Sequence, residues 1–246
     1  MKGSRSILLA CVALALCISP GRTQSASSKT PDLSGFWERK DELGSGSFGG
    51  TLERIPKASL KPEIIEANKQ QQARQQAGYV VSFGSKWCLT NSYPFFMQHS
   101  AAWDIVQTQD EIALVPEVHT FVRHIYMDGR KHPDPALLQP SMNGHSVGHW
   151  EGGTLVVDSI GFAGGGGTPG GGKTTPLSHL VERFRLLDGG KRLSVTFIWD
   201  DPSVYLKPHT YELTYYKSDP GTYAFEEYCH ADDPAQGGSV VEPPQK

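Results

Sequence analysis

The stretch Asn143-Gly-His-Ser-Val-Gly-His-Trp-Glu-Gly-Gly-Thr-Leu-Val-Val-Asp-Ser-Ile-Gly-Phe162 predicts a β-hairpin and carries the densest run of chemically capable side chains in the sequence. Strand-forming residues 146–151 and 154–160 flank Gly152-Gly153, a dipeptide that tolerates the positive φ angles of a primed hairpin turn. Residues two apart share one face of a strand, so Asp158 is expected on the same side as Val156. The hairpin therefore predicts one wall of a β-sheet domain.

Short β-branched and aromatic runs continue beyond this hairpin, separated by turn signals such as Asp188-Gly-Gly190 and Ser218-Asp-Pro-Gly221. Roughly eight to ten consecutive strands with little helix indicate a closed barrel or a sandwich, because closure removes exposed strand edges. We expect a mainly β protein with an antiparallel up-and-down, lipocalin-like barrel; a β-sandwich is the alternative. The strands are predicted at 103–106, 112–118, 119–127, 146–151, 154–160, 180–187, 192–199, 209–216 and 222–228.

The chain is organised around one such domain. A basic start, an apolar run at 7–18 and small residues after it predict a secretory signal peptide over 1–26, since the run is shorter than the roughly 20 residues of a membrane-spanning helix. A linker at 27–33 and a flexible tail at 234–246 then flank a single barrel domain, 34–233. Within it, Pro62 and Gly78 bound a polar surface helix over 62–77.

Charge and cysteine content restrict the partners and the compartment. The formal charge of −3 becomes −6 when Lys2, Arg5 and Arg22 leave with the signal peptide, which argues against nucleic acid as a partner. We expect a periplasmic or secreted protein without membrane insertion, and the oligomeric state stays open. Cys88 and Cys229 are expected to form a disulfide in an oxidising compartment; two buried free thiols are the alternative.

Residues 167–174 match the phosphate-loop expression G-x-x-x-x-G-K-T. That motif requires a following helix whose first turn holds the phosphates, whereas the next segment, 180–187, is a predicted strand. Nucleotide binding is therefore not expected, and we predict neither a nucleotide nor a redox cofactor. Residues 161–173 are expected to form a mobile loop near the barrel mouth.

Arg123 is flanked by Phe121 and Ile125 on its own strand face, which indicates an inward-facing cation. Burying an unpaired charge is costly, so Arg123 is expected to pair with a carboxylate such as Asp158 or Glu182. Two roles remain open for this arginine: it binds substrate in the barrel interior, or it forms a structural ion pair.

Histidines are the best candidates for proton transfer, because imidazole titrates near neutral pH. His145 precedes a strand and His179 begins one, and we expect both, with Glu182, to be catalytic. His179 and Glu182 lie on opposite faces of a regular strand, so their cooperation would need a bulge. A metal site is the competing use of the histidines, but His145 and His149 on one strand would stand about 13 Å apart, too far to share an ion. No metal is predicted.

Aromatic residues exceed what a small barrel needs to fill its floor, which indicates a pocket for a small apolar or aromatic ligand; core packing is the alternative. The substrate-binding residues are expected to be Arg123, Tyr126, Trp150, Asp158 and Tyr205.

Several blocks resemble an uncharacterised family of exported bacterial proteins that carries a Gly-His-Ser-x-Gly-x-Trp-Glu-Gly-Asp-Thr-Leu-Val-Val-Asp motif. The matching blocks are Arg123 to Pro133, Gly144 to Asp158, His179 to Arg183, Asp201-Pro202 and Cys229. The resemblance implies export and a β-rich fold but no particular reaction. The chain departs from the pattern at His149, where the family has Arg, and at Gly153, where it has Asp. Separately, Gly35-Phe-Trp37 resembles the opening of lipocalin-like barrels.

Two functions follow from these patterns. The first is an exported enzyme that uses acid–base chemistry on an apolar or aromatic substrate in a barrel pocket, as a lyase, hydratase, isomerase or hydrolase. The second is a non-catalytic, lipocalin-like carrier of a small hydrophobic ligand.

Overall fold

The computed structural model describes residues 30–39, 55–77, 93, 97, 102–117, 121–164 and 166–222 of the 246-residue chain. The predicted signal peptide, the C-terminal tail, both cysteines of the predicted disulfide and nearly all of the predicted strand 222–228 lie outside these residues.

The described residues form one helix of three or more turns and eleven strands. The helix α1 spans Pro62–Gln76. The strands are β1 (Gly35–Glu38), β2 (Trp103–Gln107), β3 (Glu111–Pro116), β4 (Arg123–Tyr126), β5 (His145–Glu151), β6 (Thr154–Ile160), β7 (Gly167–Thr168), β8 (Gly172–Lys173), β9 (His179–Leu187), β10 (Arg192–Asp200) and β11 (His209–Lys217).

Nine of these strands close into a barrel in the order β1-β11-β10-β9-β6-β5-β4-β3-β2. The predicted mainly β, lipocalin-like barrel with one helix is therefore confirmed, and the sandwich alternative is not what the chain forms. One pair makes the barrel mixed, because β4 and β5 run parallel, with Ile125 opposite Ser146. Parallel neighbours need a long crossover instead of a tight turn, and residues 127–144 supply it.

The barrel interior is filled by large side chains from alternate strand positions. Trp37, Trp103 and Trp199 are fully buried, and the ring of Phe184 and the branched side chain of Val157 lie in the same core. The indole nitrogen of Trp37 donates to the carbonyl oxygen of Leu33 at 2.9 Å. Indole rings bury more area than any other side chain, so they account for much of the stability of this core.

The predicted hairpin is present with the predicted turn. Glu151 pairs with Thr154 at its end, and Gly152 adopts a φ of +59°, which suits a residue without a Cβ. Inside the barrel, a Cβ built on Gly148 would come within 2.6 Å of the Met127 sulfur and 2.9 Å of Ile125, so only glycine fits there.

One end of the barrel is covered by α1 and a small hairpin, β7–β8. The helix confirms the predicted surface helix to within one residue, and its Asn68 side chain donates to the carbonyl of Gly171 at 2.7 Å. The segment 161–173, predicted to be a mobile loop, contains this short hairpin. The backbone NH of Ala58 donates to Gly170 at 3.1 Å, and Thr168 bonds Tyr205, so protein contacts hold the segment as a hairpin.

No helix in the described ranges is long and apolar enough to cross a lipid bilayer.

Candidate functional site

A buried ion pair lies inside the barrel where β4 and β9 face each other across β5 and β6. Arg123 and Glu182 are 1% and 0% exposed, and the guanidinium contacts both carboxylate oxygens, with Nη1 to Oε1 at 3.2 Å. The choice of carboxylate that the sequence left open therefore falls on Glu182. Asp158 does not take part, because Leu155 and Val157 of the same strand point inward and Asp158 points outward.

Hydroxyl groups complete the coordination of this pair. Arg123 donates from Nε to Ser146 Oγ at 3.1 Å and from Nη2 to Ser159 Oγ at 2.9 Å. The ring of Tyr93 lies under the guanidinium at 3.6 Å, and its hydroxyl donates to Glu182. Burial alone would lower the pKa of Arg123, but the adjacent Glu182 carboxylate more than offsets it and the pKa is raised. The arginine therefore stays charged, and its donors engage protein groups.

A second polar cluster lies directly behind this pair, on the outer face of the same strands. Asp158 projects outward from β6 and is flanked by two imidazoles. Its Oδ2 accepts from His179 Nε2 at 2.8 Å, and its Oδ1 accepts from His132 Nε2, also at 2.8 Å. His132 is 18% exposed, whereas Asp158 and His179 are each about two-fifths exposed. A carboxylate that accepts two such bonds orients both rings.

His132 extends the cluster to His145, the first residue of β5. The two rings meet through their Nδ1 atoms at 2.8 Å, edge to face, with centroids 5.0 Å apart. His132 lies in the crossover 127–144, which folds back over the outer faces of β5 and β6. The parallel pairing of β4 and β5 thus explains why a residue from an irregular segment joins two strand residues.

Hydrogen-bond chemistry assigns the protons along this chain. A carboxylate only accepts, so the Nε2 of His132 carries the proton that Asp158 binds, and a neutral His132 then has a lone pair on Nδ1. In that neutral state the lone pair accepts from His145 Nδ1–H and His145 Nε2 carries no proton, whereas a His132 protonated on both nitrogens would donate to His145 Nδ1. The arrangement repeats the way an aspartate sets a histidine tautomer in catalytic triads, with one imidazole interposed.

The pKa values of the histidines at the two ends of the cluster are shifted in opposite directions. The hydrogen bond to Asp158 raises the pKa of His179, and the hydrogen bond from His179 in turn lowers the pKa of Asp158 despite partial burial. At the other end, partial burial lowers the pKa of His145, and the neighbouring His132 and Arg130 lower it further. At neutral pH, Asp158 is ionised and His145 is neutral, while His179 is the histidine of the cluster whose pKa is raised.

A groove of about 460 Å³ adjoins His145. Its walls are the outer face of β4 with the residues before it, and residues 141–145 at the end of the crossover. The ring of Tyr126 lies tilted against the His145 ring at 5.3 Å, and the guanidinium of Arg130 covers Tyr126 at 3.9 Å. An apolar recess therefore lies beside the neutral imidazole of His145.

The remaining predicted residues lie elsewhere. Trp150 points inward and packs against the core, and Tyr205 is buried beside Thr168 at the barrel end, with its hydroxyl 2.5 Å from the threonine oxygen. Burial raises the pKa of Tyr205 to about 12. Glu182 and His179 occupy opposite faces of β9, and no bulge brings them together. The structure thus unites His145, His179 and Asp158 outside the barrel, separates them from Arg123 and Glu182 inside it, and places Tyr126 beside the first group.

His132 is the member of the cluster that the sequence did not single out. Its only signal is its position after the Asp128-Gly-Arg130 turn, inside a block that resembles the exported family. In the described part of the chain, no three His, Cys, Asp or Glu side chains converge in a way that could hold a metal ion.

No family model and no curated protein matches this chain. The likeness to the exported family stays a prediction.

Proposed function

We propose that the chain is an exported enzyme that transfers protons on a small apolar or aromatic substrate, with His145 as the base and His179 as the acid. The reaction class is a lyase, hydratase, isomerase or hydrolase. The observation that carries this proposal is the chain of side chains in which Asp158 bonds His179 and His132, and His132 meets His145 beside an apolar groove; the pKa values of His179 and His145, shifted in opposite directions, support it. Environments that shift the pKa values of two titratable groups in opposite directions commonly create a base and an acid in one site.

The chemistry follows from the hydrogen bonds. A substrate proton moves to Nε2 of His145, and the resulting imidazolium is stabilised through His132 by the charge of Asp158. His179 lies outside the groove lining, on the other side of Asp158, and is proposed to supply a proton from its other ring nitrogen to a substrate that extends from the groove to that side. Asp158 orients both imidazoles and stays ionised throughout.

Arg123 and Glu182 support this site from the inside. Their hydroxyl partners Ser146 and Ser159 are the immediate chain neighbours of His145 and Asp158, so the buried network fixes the backbone from which the outer side chains project. This proposal moves the substrate from the barrel interior to the outer groove. It also assigns Arg123 and Glu182 a positioning role instead of substrate contact and catalysis.

Export, the Cys88–Cys229 disulfide and membership of the exported family accompany this proposal. They rest on the sequence patterns of residues 1–26, on the isolated cysteine pair and on the motif blocks. The proposed partner is a small molecule and not a nucleic acid.

A non-catalytic carrier is the second candidate, and the apolar groove favours it. The test incubates the purified protein in heavy water with a panel of uncharged ketones, esters and lactones, and follows deuterium uptake and product formation by mass spectrometry. Because positioned acid–base catalysis contributes about 10²–10⁴-fold, His145→Asn should lose at least a hundredfold in rate. His149→Asn, a change on the same strand face, should keep the rate. Binding without turnover would assign the carrier function instead, and full activity of His145→Asn would exclude His145 as the base.

A further inference from the structure

The groove beside His145 has the size and position of a small-molecule site. At about 460 Å³ it falls within the range of roughly 300–1,000 Å³ that is typical of ligand pockets. It lies outside the barrel wall, between Phe121, Val122 and Tyr126 on one side and residues 141–145 on the other. A ligand here reaches His145 without entering the packed core.

Rings and a thioether dominate the surface of this groove. Phe121, two residues before β4, is 44% exposed, and Tyr126 and Met142 contribute further apolar area. Exposed phenyl surface at the rim of a recess favours a flat apolar partner, because stacking removes ring area from water. The shape and lining therefore select a planar aromatic ligand.

Most polar side-chain atoms left open on the lining are acceptors, and the Tyr126 hydroxyl can both donate and accept. Asn143 donates from Nδ2 to the carbonyls of Phe121 at 3.3 Å and Val122 at 3.2 Å, which orients its amide and leaves Oδ1 without a hydrogen bond in the described part of the chain. The Ser141 hydroxyl donates its hydrogen bond to the carbonyl oxygen of Gly144 at 3.2 Å. His145 uses Nδ1 for its hydrogen bond with His132, so the lone pair of Nε2 is the acceptor that it offers to a ligand. A ligand that donates a hydrogen bond therefore matches the acceptors at Asn143 and His145.

The charges in and around the groove disfavour a ligand that carries a carboxylate or an ammonium group. The described lining residues include no Lys, Arg, Asp or Glu, so a carboxylate ligand would meet acceptors without a counter-ion. The Arg130 guanidinium stacked on Tyr126 disfavours an ammonium group near His145. His124, also in the lining, is paired with Glu111. A neutral donor is the remaining class.

We propose that this groove binds a neutral phenol-type aromatic whose hydroxyl donates to Nε2 of His145. The substrate class rests on the proposed function, because it uses His145 as the base. In the proton-transfer step the phenolic O–H bond breaks, a bond from hydrogen to Nε2 forms, and the electron pair stays on oxygen as a phenolate. The return of the proton releases a neutral phenol.

Four probes of nearly equal shape test this class: 4-nitrophenol, 4-nitroanisole, 4-nitrobenzoate and 4-nitrobenzylamine. Binding is measured by the NMR shift of the Met142 methyl group, and ionisation of 4-nitrophenol by its absorbance. We expect 4-nitrophenol to bind at least about tenfold more tightly than 4-nitroanisole, which lacks the donor. The two charged probes should bind more weakly than 4-nitrophenol, and bound 4-nitrophenol should ionise at a lower pH than the free compound.

Matched variants assign the contact to His145. His145→Phe keeps an aromatic ring but removes the acceptor, and it should bring 4-nitrophenol down to the affinity of 4-nitroanisole. His149→Phe, on the same outer face of β5, should leave the affinity unchanged. The proposal is wrong if 4-nitroanisole binds as tightly as 4-nitrophenol, if 4-nitrobenzoate binds best, or if the Met142 methyl group does not respond.

These readouts need no turnover, so the two proposals can fail separately. Turnover of other compounds that depends on His145, with no 4-nitrophenol binding, would remove the phenol class and keep the acid–base function. Tight 4-nitrophenol binding without any His145-dependent turnover would keep the ligand class and point to the carrier.

Discussion

Removing one member of the Arg123–Glu182 pair is predicted to destabilise the barrel far more than removing both. Glu182→Leu leaves a guanidinium buried at 1% exposure without its counter-charge, and Arg123→Met leaves the carboxylate in the same position. The double variant leaves neither charge. Ser146 and Ser159 also hydrogen-bond each other at 2.9 Å, so these hydroxyls do not depend on Arg123 alone for a partner.

The burial of the pair determines how much stability each single variant is expected to lose. Breaking a buried ion pair by removing one partner costs about 3–5 kcal/mol, whereas replacing both charges by apolar side chains is often close to neutral. For a domain of this size, 1 kcal/mol corresponds to about 2–4 °C in Tm, so each single variant should lose about 6–20 °C. The double variant should recover most of that loss.

Urea unfolding followed by tryptophan fluorescence measures the four free energies of this double-mutant cycle. The exposed pair Arg183–Glu151, with its atoms 2.8 Å apart, serves as the control, and its cycle should give a coupling below about 1 kcal/mol. Additive losses in the Arg123–Glu182 cycle would refute the claim that these charges depend on each other.

Two further predictions concern packing and pH. Gly148→Ala should lose about 1–3 kcal/mol of stability in urea unfolding, because its Cβ would collide with buried side chains, whereas Gly153→Ala should be tolerated since no atom lies within 4 Å of its Cβ; equal effects would contradict this packing. Asp158 raises the folded-state pKa of His179 above 6.5, so His179 contributes stability that is present in full below about pH 6.5 and lost as pH rises through the raised value. His179→Gln should therefore lose more stability at pH 6 than at pH 9, by less than about 1 kcal/mol because both groups are two-fifths exposed; an equal loss at both pH values would contradict this.

Strand periodicity accounts for the part of the site that the sequence could predict. The alternation of residues along β4 and β9 placed Arg123 inside and put His179 and Glu182 on opposite faces, and the structure has both features. The partner of Arg123 could not be chosen between Asp158 and Glu182. That choice depends on which face of β6 points inward, and the register with neighbouring strands decides it.

The structure of the crossover could not be predicted from strand periodicity. Residues 127–144 have no regular structure, so no repeat indicates that His132 folds back onto Asp158 and His145. The parallel pairing of β4 and β5 was missed for the same reason, because a hairpin sequence and a crossover sequence both begin with a turn signal, here Asp128-Gly129. The groove beside His145 is formed by the end of that crossover and follows from it.

The proton positions in the His132–His145 pair are the most direct test of the account. Nitrogen-15 NMR of histidine-labelled protein at neutral pH distinguishes protonated from unprotonated ring nitrogens. We expect His145 to carry its proton on Nδ1 with a bare Nε2, His132 to be protonated on Nε2, and both assignments to change in Asp158→Asn. A proton on Nε2 of His145, or tautomers that do not respond to Asp158→Asn, would contradict the proposed base.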